Sequence, residues 1–110
     1  MQMNETYTGN APSRAEVDAM EGLTLLEFGT DWCGHCRAAQ APLALVLTDQ
    51  ELRHLKIEDG PGRPLGRSFR VKLWPTLILM RQGEELGRVI RPTIAKPIVD
   101  LLSKAGAAAD

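Results

Sequence analysis

The chain has 110 residues, enough for one domain closed around one hydrophobic core. Apolar residues make up 44% and charged residues 25%, ordinary for a globular domain, and the formal net charge is -1 with both signs interspersed. That balance offers no basic surface for a nucleic acid, and no apolar run approaches a membrane span.

The first twenty residues, MQMNETYTGNAPSRAEVDAM, lack a basic region followed by an apolar one, so no secretory signal is expected. The expected location is cytoplasmic, although a mature exported chain stripped of its signal would read the same. Residues 1–12 read as a flexible N-terminal segment, 13–105 as the domain and 106–110 as a frayed tail. Ser13 with Glu16 three residues on is a capping box for a short helix. LTLLEF, Leu23 to Phe28, is a buried strand interrupted by one acid, Glu27.

From Cys33 to about Thr48 the pattern is helical, with Ala39, Leu43, Val46 and Leu47 on one face. Pro42 lies inside it and should kink the helix without ending it. Leu55 to Ile57 is a further short strand. EDGPGRPLGRSF is a loop leading to a short helix at most. Thr76 to Met80 and Leu86 to Ile90 form a hairpin around Gly83. Ile94, Ile98, Leu101 and Leu102 make the stripe of a final helix, which Thr93 would cap. A strand–helix–strand unit followed by a hairpin predicts an α/β fold, a central mixed sheet with flanking helices.

Both cysteines lie in DWCGHCR. In the cytoplasm disulfides are transient, so such a pair is catalytic or metal-binding before it is structural. A strand before Cys33 and a helix after it place Cys33 at a helix N-terminus, where unpaired N–H groups and the dipole favour thiolate over thiol. Its pKa should fall below the free value of about 8.5. Cys36, one turn on, is placed to attack a mixed disulfide formed on Cys33. Structural zinc needs about four ligands. The chain offers two cysteines, His35 between them, and His54 on another strand, so no metal is expected. Haem attachment needs C-x-x-C-H, and Arg37 stands at the histidine's place. Two inert core cysteines remain an alternative.

Three stretches together resemble the thioredoxin family: LLEFGTDWCGHCR, VKLWPTLILM and RQGEELGRVI. The resemblance covers residues 13 to 105 and implies a thioredoxin fold, with helices on both faces of the sheet. It implies a cis Pro75 packed against the cysteines, with Trp74 and Thr76 beside it as part of a substrate platform. Glu27 matches the family's buried acid. Burial should raise its pKa, and it would take the Cys36 proton through a water. The open alternative is a glutamate reaching solvent at the strand end. Lys56 matches the family's lysine near that acid. Gly29 stands where the family usually has an aromatic, and Trp74 is bulkier than the usual residue before the proline. Arg91 replaces a glycine and would rim the groove, and Pro42 falls one residue later than usual.

Gly34-His35 between the cysteines, after Trp32, resembles the protein disulfide isomerase branch. A partly protonated His35 would stabilise the Cys33 thiolate and make the couple more oxidising. A potential between about −270 and −180 mV is expected. The implied function is a monomeric thiol–disulfide oxidoreductase acting on protein disulfides. An outside reductant, a thioredoxin-reductase-like flavoprotein or glutathione, would regenerate it. No cofactor is expected, because no Gly-x-Gly-x-x-Gly loop occurs. The alternative is a thioredoxin-like binding module that holds a client with little turnover.

Overall fold

A computed structural model describes residues 6–108; residues 1–5 of the expected loose segment and 109–110 of the expected frayed tail lie outside the described residues. Eight elements follow in order: α1 (Arg14–Asp18), β1 (Leu23–Gly29), α2 (Gly34–Leu47), β2 (Arg53–Glu58), α3 (Pro64–Ser68), β3 (Thr76–Arg81), β4 (Glu84–Ile90) and α4 (Ala95–Ala108). The strands form one mixed sheet in the order β2-β1-β3-β4. β1 runs parallel to β2 and antiparallel to β3, and β3 runs antiparallel to β4.

Local signals account for most boundaries. At α1 the Ser13 hydroxyl accepts from the Glu16 N–H at 3.1 Å, and the Glu16 carboxylate accepts from the Ser13 N–H at 2.9 Å. α2 continues through Pro42, which is buried within it. The β3–β4 turn has positive φ at Gln82 (47°) and Gly83 (85°), the pairing a tight hairpin of right-handed twist requires.

β1 is central and buried on both faces, which explains its unbroken apolar run. Leu26 and Phe28 pack with Val17, Leu65 and Phe69 on the α1/α3 side. Leu25 packs with Ala39, Leu43 and Leu47 of α2 and Ile98 and Leu101 of α4 on the other. Strand alternation then sends Glu27 to the same face as Leu25, under α2.

Thr8 bridges the outer edge of β2, its N–H donating to Lys56 O at 2.8 Å and its carbonyl accepting from Glu58 N–H at 2.9 Å. An edge strand has unpaired backbone groups that such a segment can satisfy. The last helix, α4, runs through Ala108. One expectation is corrected: Ile94 is 62% exposed, because the helix begins only at Ala95 and Ile94 never joins its buried stripe. Pro97 is accommodated in the first turn, where its missing N–H has no intrahelical partner to lose.

Candidate active site

The site forms where the chain leaves β1 and enters α2. Cys33 is the N-cap of α2, in extended conformation (φ −81°, ψ 123°), and its sulfur accepts from the Cys36 N–H at 3.3 Å. Both cysteines are free and buried, Cys33 at 8% exposure and Cys36 at 1%. Burial pushes the Cys33 thiol up. Hydrogen bonds from the Cys36 thiol and from the Cys36 and His35 backbone amides, with the charge of Arg91, outweigh it, and the pKa falls below its ordinary value. Cys36 goes the other way. Burial, then its hydrogen bond to Cys33, push it up to about 11, against smaller pulls from the Thr30 backbone and the Tyr7 hydroxyl. One turn of helix therefore holds two thiols of opposite character.

Glu27 has no exposed surface, so it does not reach solvent at the strand end. Its Oε2 accepts from Tyr7 O–H and from Gln40 Nε2–H (2.9 Å), and its Oε1 lies 2.8 Å from His54 Nε2. The expected upward shift is corrected. Burial does push the carboxyl up, but the hydrogen bonds from His54, Tyr7 and Gln40 and the charge of His54 overcome it, and the pKa is lowered. The magnitudes make this reasonable. Desolvating a carboxylate costs several kcal/mol, and each hydrogen bond to a charged group returns about 1.5–3. Lys56 belongs to the same network: its Nζ donates to Gln40 Oε1 at 2.8 Å and lies 4.6 Å from the Tyr7 ring centroid.

Sequence reasoning missed Tyr7, which sits between Glu27 and Cys36. A Cβ placed on Gly29 would lie 2.5 Å from Cys36 Sγ and 2.9 Å from Tyr7 Oη, so both groups converge on the space that Gly29 leaves open. Burial, then the neighbouring Glu27 and Cys36, push the phenol far above its ordinary pKa. The aromatic that the family resemblance led one to expect at position 29 is thus supplied from residue 7. The glycine itself was the available signal. A cleft of about 160 Å³ opens beside this group, lined by Tyr7, Cys36, Arg37, Gln40 and Lys56.

The second wall is built around Pro75, whose peptide bond with Trp74 is cis. Cys33 Sγ lies 4.0 Å from the Trp74 carbonyl, which accepts from Arg91 Nε–H at 2.9 Å. Trp32, 69% exposed, meets Trp74 edge-on with centroids 5.7 Å apart. Trp74 Nε1–H donates to Asp59 Oδ2 at 2.8 Å. Thr76 is buried and its hydroxyl donates to Leu73 O at 2.6 Å, closing the turn around the proline. Gly34 and His35 are exposed. What His35 demonstrably brings to Cys33 is its backbone amide. Among the described residues, no three His, Cys, Asp or Glu side chains converge as metal ligands would.

The sequence matches the family model described as Thioredoxin over residues 6–104. The fold is similar to that of thioredoxin 2 from Pseudomonas aeruginosa PAO1 in its reduced form, with a TM-score of 0.84 and 54% identity, covering 96% of this chain and 99% of that one. The thioredoxin of Chlamydia trachomatis is 33% identical over 87 residues, 76% of this chain and 82% of its own length. Thioredoxin H2-1 of Oryza sativa subsp. japonica is 32% identical over 71 residues, 62% of this chain and 50% of its own length. The chain thus spans half the length of the rice relative.

Proposed function

The chain belongs to the thioredoxin family, and on that premise we propose that it is a thiol–disulfide oxidoreductase that reduces or exchanges protein disulfides through Cys33 and Cys36. The observation that carries this reading is the opposite displacement of the two thiols, Cys33 downward and Cys36 up to about 11. The nucleophile is a readier thiolate than an ordinary cysteine, and the resolving thiol is held back until it is needed.

The Cys33 thiolate attacks a substrate disulfide. A Cys33–substrate bond forms, the substrate S–S bond breaks, and one substrate thiolate leaves. Cys36 then loses its proton and attacks Cys33 Sγ, forming the internal disulfide and releasing the second substrate thiolate. The proton moves from Cys36 to Tyr7 Oη as the phenol gives its own proton to Glu27, which the hydrogen bonds around it hold in the anionic, accepting form. Tyr7 takes the place of the water that the sequence alone suggested. Gln40, His54 and Lys56 position the carboxylate, and the cleft beside Cys36 gives the proton a path to solvent. Trp74 and Pro75, with Thr76 holding their turn, form the platform against which an extended substrate lies, and Arg91 and Trp32 rim it. An external reductant, a flavoprotein reductase or glutathione, returns the disulfide to the dithiol. The setting is cytoplasmic.

Dithiothreitol-coupled insulin reduction tests the reading. Wild type accelerates it and Cys33→Ser abolishes the acceleration; equal, near-zero rates for both would instead favour a module that holds a client without turnover. His35 tunes the couple through its backbone amide at the Cys33 sulfur, an N–H that proline at this position would lack. His35→Pro is expected to lower the reduction potential, read by equilibration with glutathione; an unchanged or higher potential would remove that role.

A further inference from the structure

Beside Trp74 lies a cavity of about 720 Å³ lined by Asp59, Arg67, Arg70, Lys72 and Trp74 with short loop residues between them. Three cations and one carboxylate share it. The carboxylate is already engaged by the Trp74 indole. Among the described residues, no carboxylate pairs with Arg67, Arg70 or Lys72, whereas Arg14, Arg63, Arg88 and Lys96 each have an acidic partner. With Asp59 counted, the cavity still holds two more positive than negative charges, on a chain of net charge -1, beside the tryptophan whose carbonyl faces Cys33.

Only three non-glycine residues among those described have positive φ: Arg70 at 58°, Gln82 at 47° and Arg91 at 53°. Gln82 belongs to its hairpin turn, and Arg70 closes α3, its N–H donating to Arg67 O and the Val71 N–H to Gly66 O, each at 3.0 Å. The two arginines flank Trp74, one on each side along the chain. Arg91 earns its place by binding the Trp74 carbonyl and lowering Cys33. Arg70 is among the residues that line the cavity.

We propose that this cavity is a specificity subsite that selects client polypeptides carrying Asp or Glu beside the disulfide to be reduced. Trp74 connects the two places, since its carbonyl lies 4.0 Å from Cys33 Sγ and its ring lines the cavity. A client chain running from Cys33 past Trp74 brings the residues that flank its cysteine to the cavity. The gain is in encounter rate and register, through a focused positive field that salt screens.

This inference rests on the oxidoreductase reading, and the test separates the two. Reduced wild-type protein is mixed with two disulfide-bonded peptides that differ only in Glu or Lys flanking the cysteines, and with the neutral bis(2-hydroxyethyl) disulfide. Rates are followed by stopped flow at low and high ionic strength. The acidic peptide is expected to react about tenfold faster than the basic one at low salt, with the ratio collapsing toward one at high salt. The triple variant Arg67→Glu, Arg70→Glu, Lys72→Glu should invert the ratio. Because each ratio is taken within one protein sample, partial unfolding of a variant leaves it unmoved. Reduction of all three disulfides without charge preference, or with preference for the basic peptide, overturns the subsite alone. Failure to reduce even the neutral disulfide removes the oxidoreductase reading and the subsite with it.

Discussion

Tyr7 touches both a carboxylate held as an anion and a thiol held as an acid, and few side chains can serve both. Its hydroxyl donates to Glu27 while the Cys36 sulfur approaches from the side left open by Gly29. Tyr7→Phe keeps the ring and removes only the oxygen. Leaving Glu27 one donor short is expected to cost about 1–3 kcal/mol of stability. Loss of the relay should slow release of substrate from the mixed disulfide by about 10²-fold, while attack of Cys33 on the substrate disulfide in the first step is not slowed. Single-turnover kinetics with a disulfide peptide separates the two steps. Equal slowing of both would mean that Tyr7 merely supports the fold.

At the scale of elements, the β1–α2 junction governs the chemistry, and Gly29 is its tightest point. Ala at 29 would place a methyl 2.5 Å from Cys36 Sγ and 2.9 Å from Tyr7 Oη. Overpacking of this kind costs about 1–3 kcal/mol. The midpoint of chemical denaturation should fall accordingly and Tyr7 should be displaced; an unchanged midpoint would show that the pocket is looser than described. Most of this junction was legible beforehand. Periodicity gave α2 and the buried strand, and the capping and spacing rules put Cys33 at the helix N-terminus. Glu27 stood out because an acid broke an apolar run. The sign of its pKa shift was not legible, because it depends on partners 13, 20 and 27 residues away in sequence. Tyr7 lay in a polar stretch with no periodicity, and only the missing aromatic at 29 hinted that something must fill that space. Ile94 failed for a local reason: a helical stripe read from spacing alone ignores where the first turn begins.

Over the whole molecule, sheet register gathers the site from distant segments. Phe28 pairs with Thr76 and Thr76 with Ile90, so the end of β1, the start of β3 and the end of β4 meet at one end of the sheet. Pro75 directly precedes Thr76, Arg91 directly follows Ile90, and Cys33 lies five residues beyond Phe28, so all three inherit the meeting point. The helices on both faces keep the strands buried and this end open. The apolar pattern carried enough information to place four strands and their helices, and the family resemblance pointed to Pro75 and Arg91. The basic cavity was not legible, since Arg67, Arg70 and Lys72 are scattered in a loop-rich stretch and converge only once α3 packs against the sheet.

The asymmetry between the two thiols is the point on which the proposed function stands or falls. Reduced wild-type protein can be alkylated with iodoacetamide across the pH range, with initial rates assigned to each cysteine by peptide mass spectrometry. Cys33 is expected to react with a midpoint below the ordinary thiol value of about 8.5, and Cys36 to stay protected until the pH nears its raised value of about 11. Coincident midpoints, or Cys36 reacting at the lower pH, would contradict the assignment of Cys33 as nucleophile and Cys36 as resolving thiol.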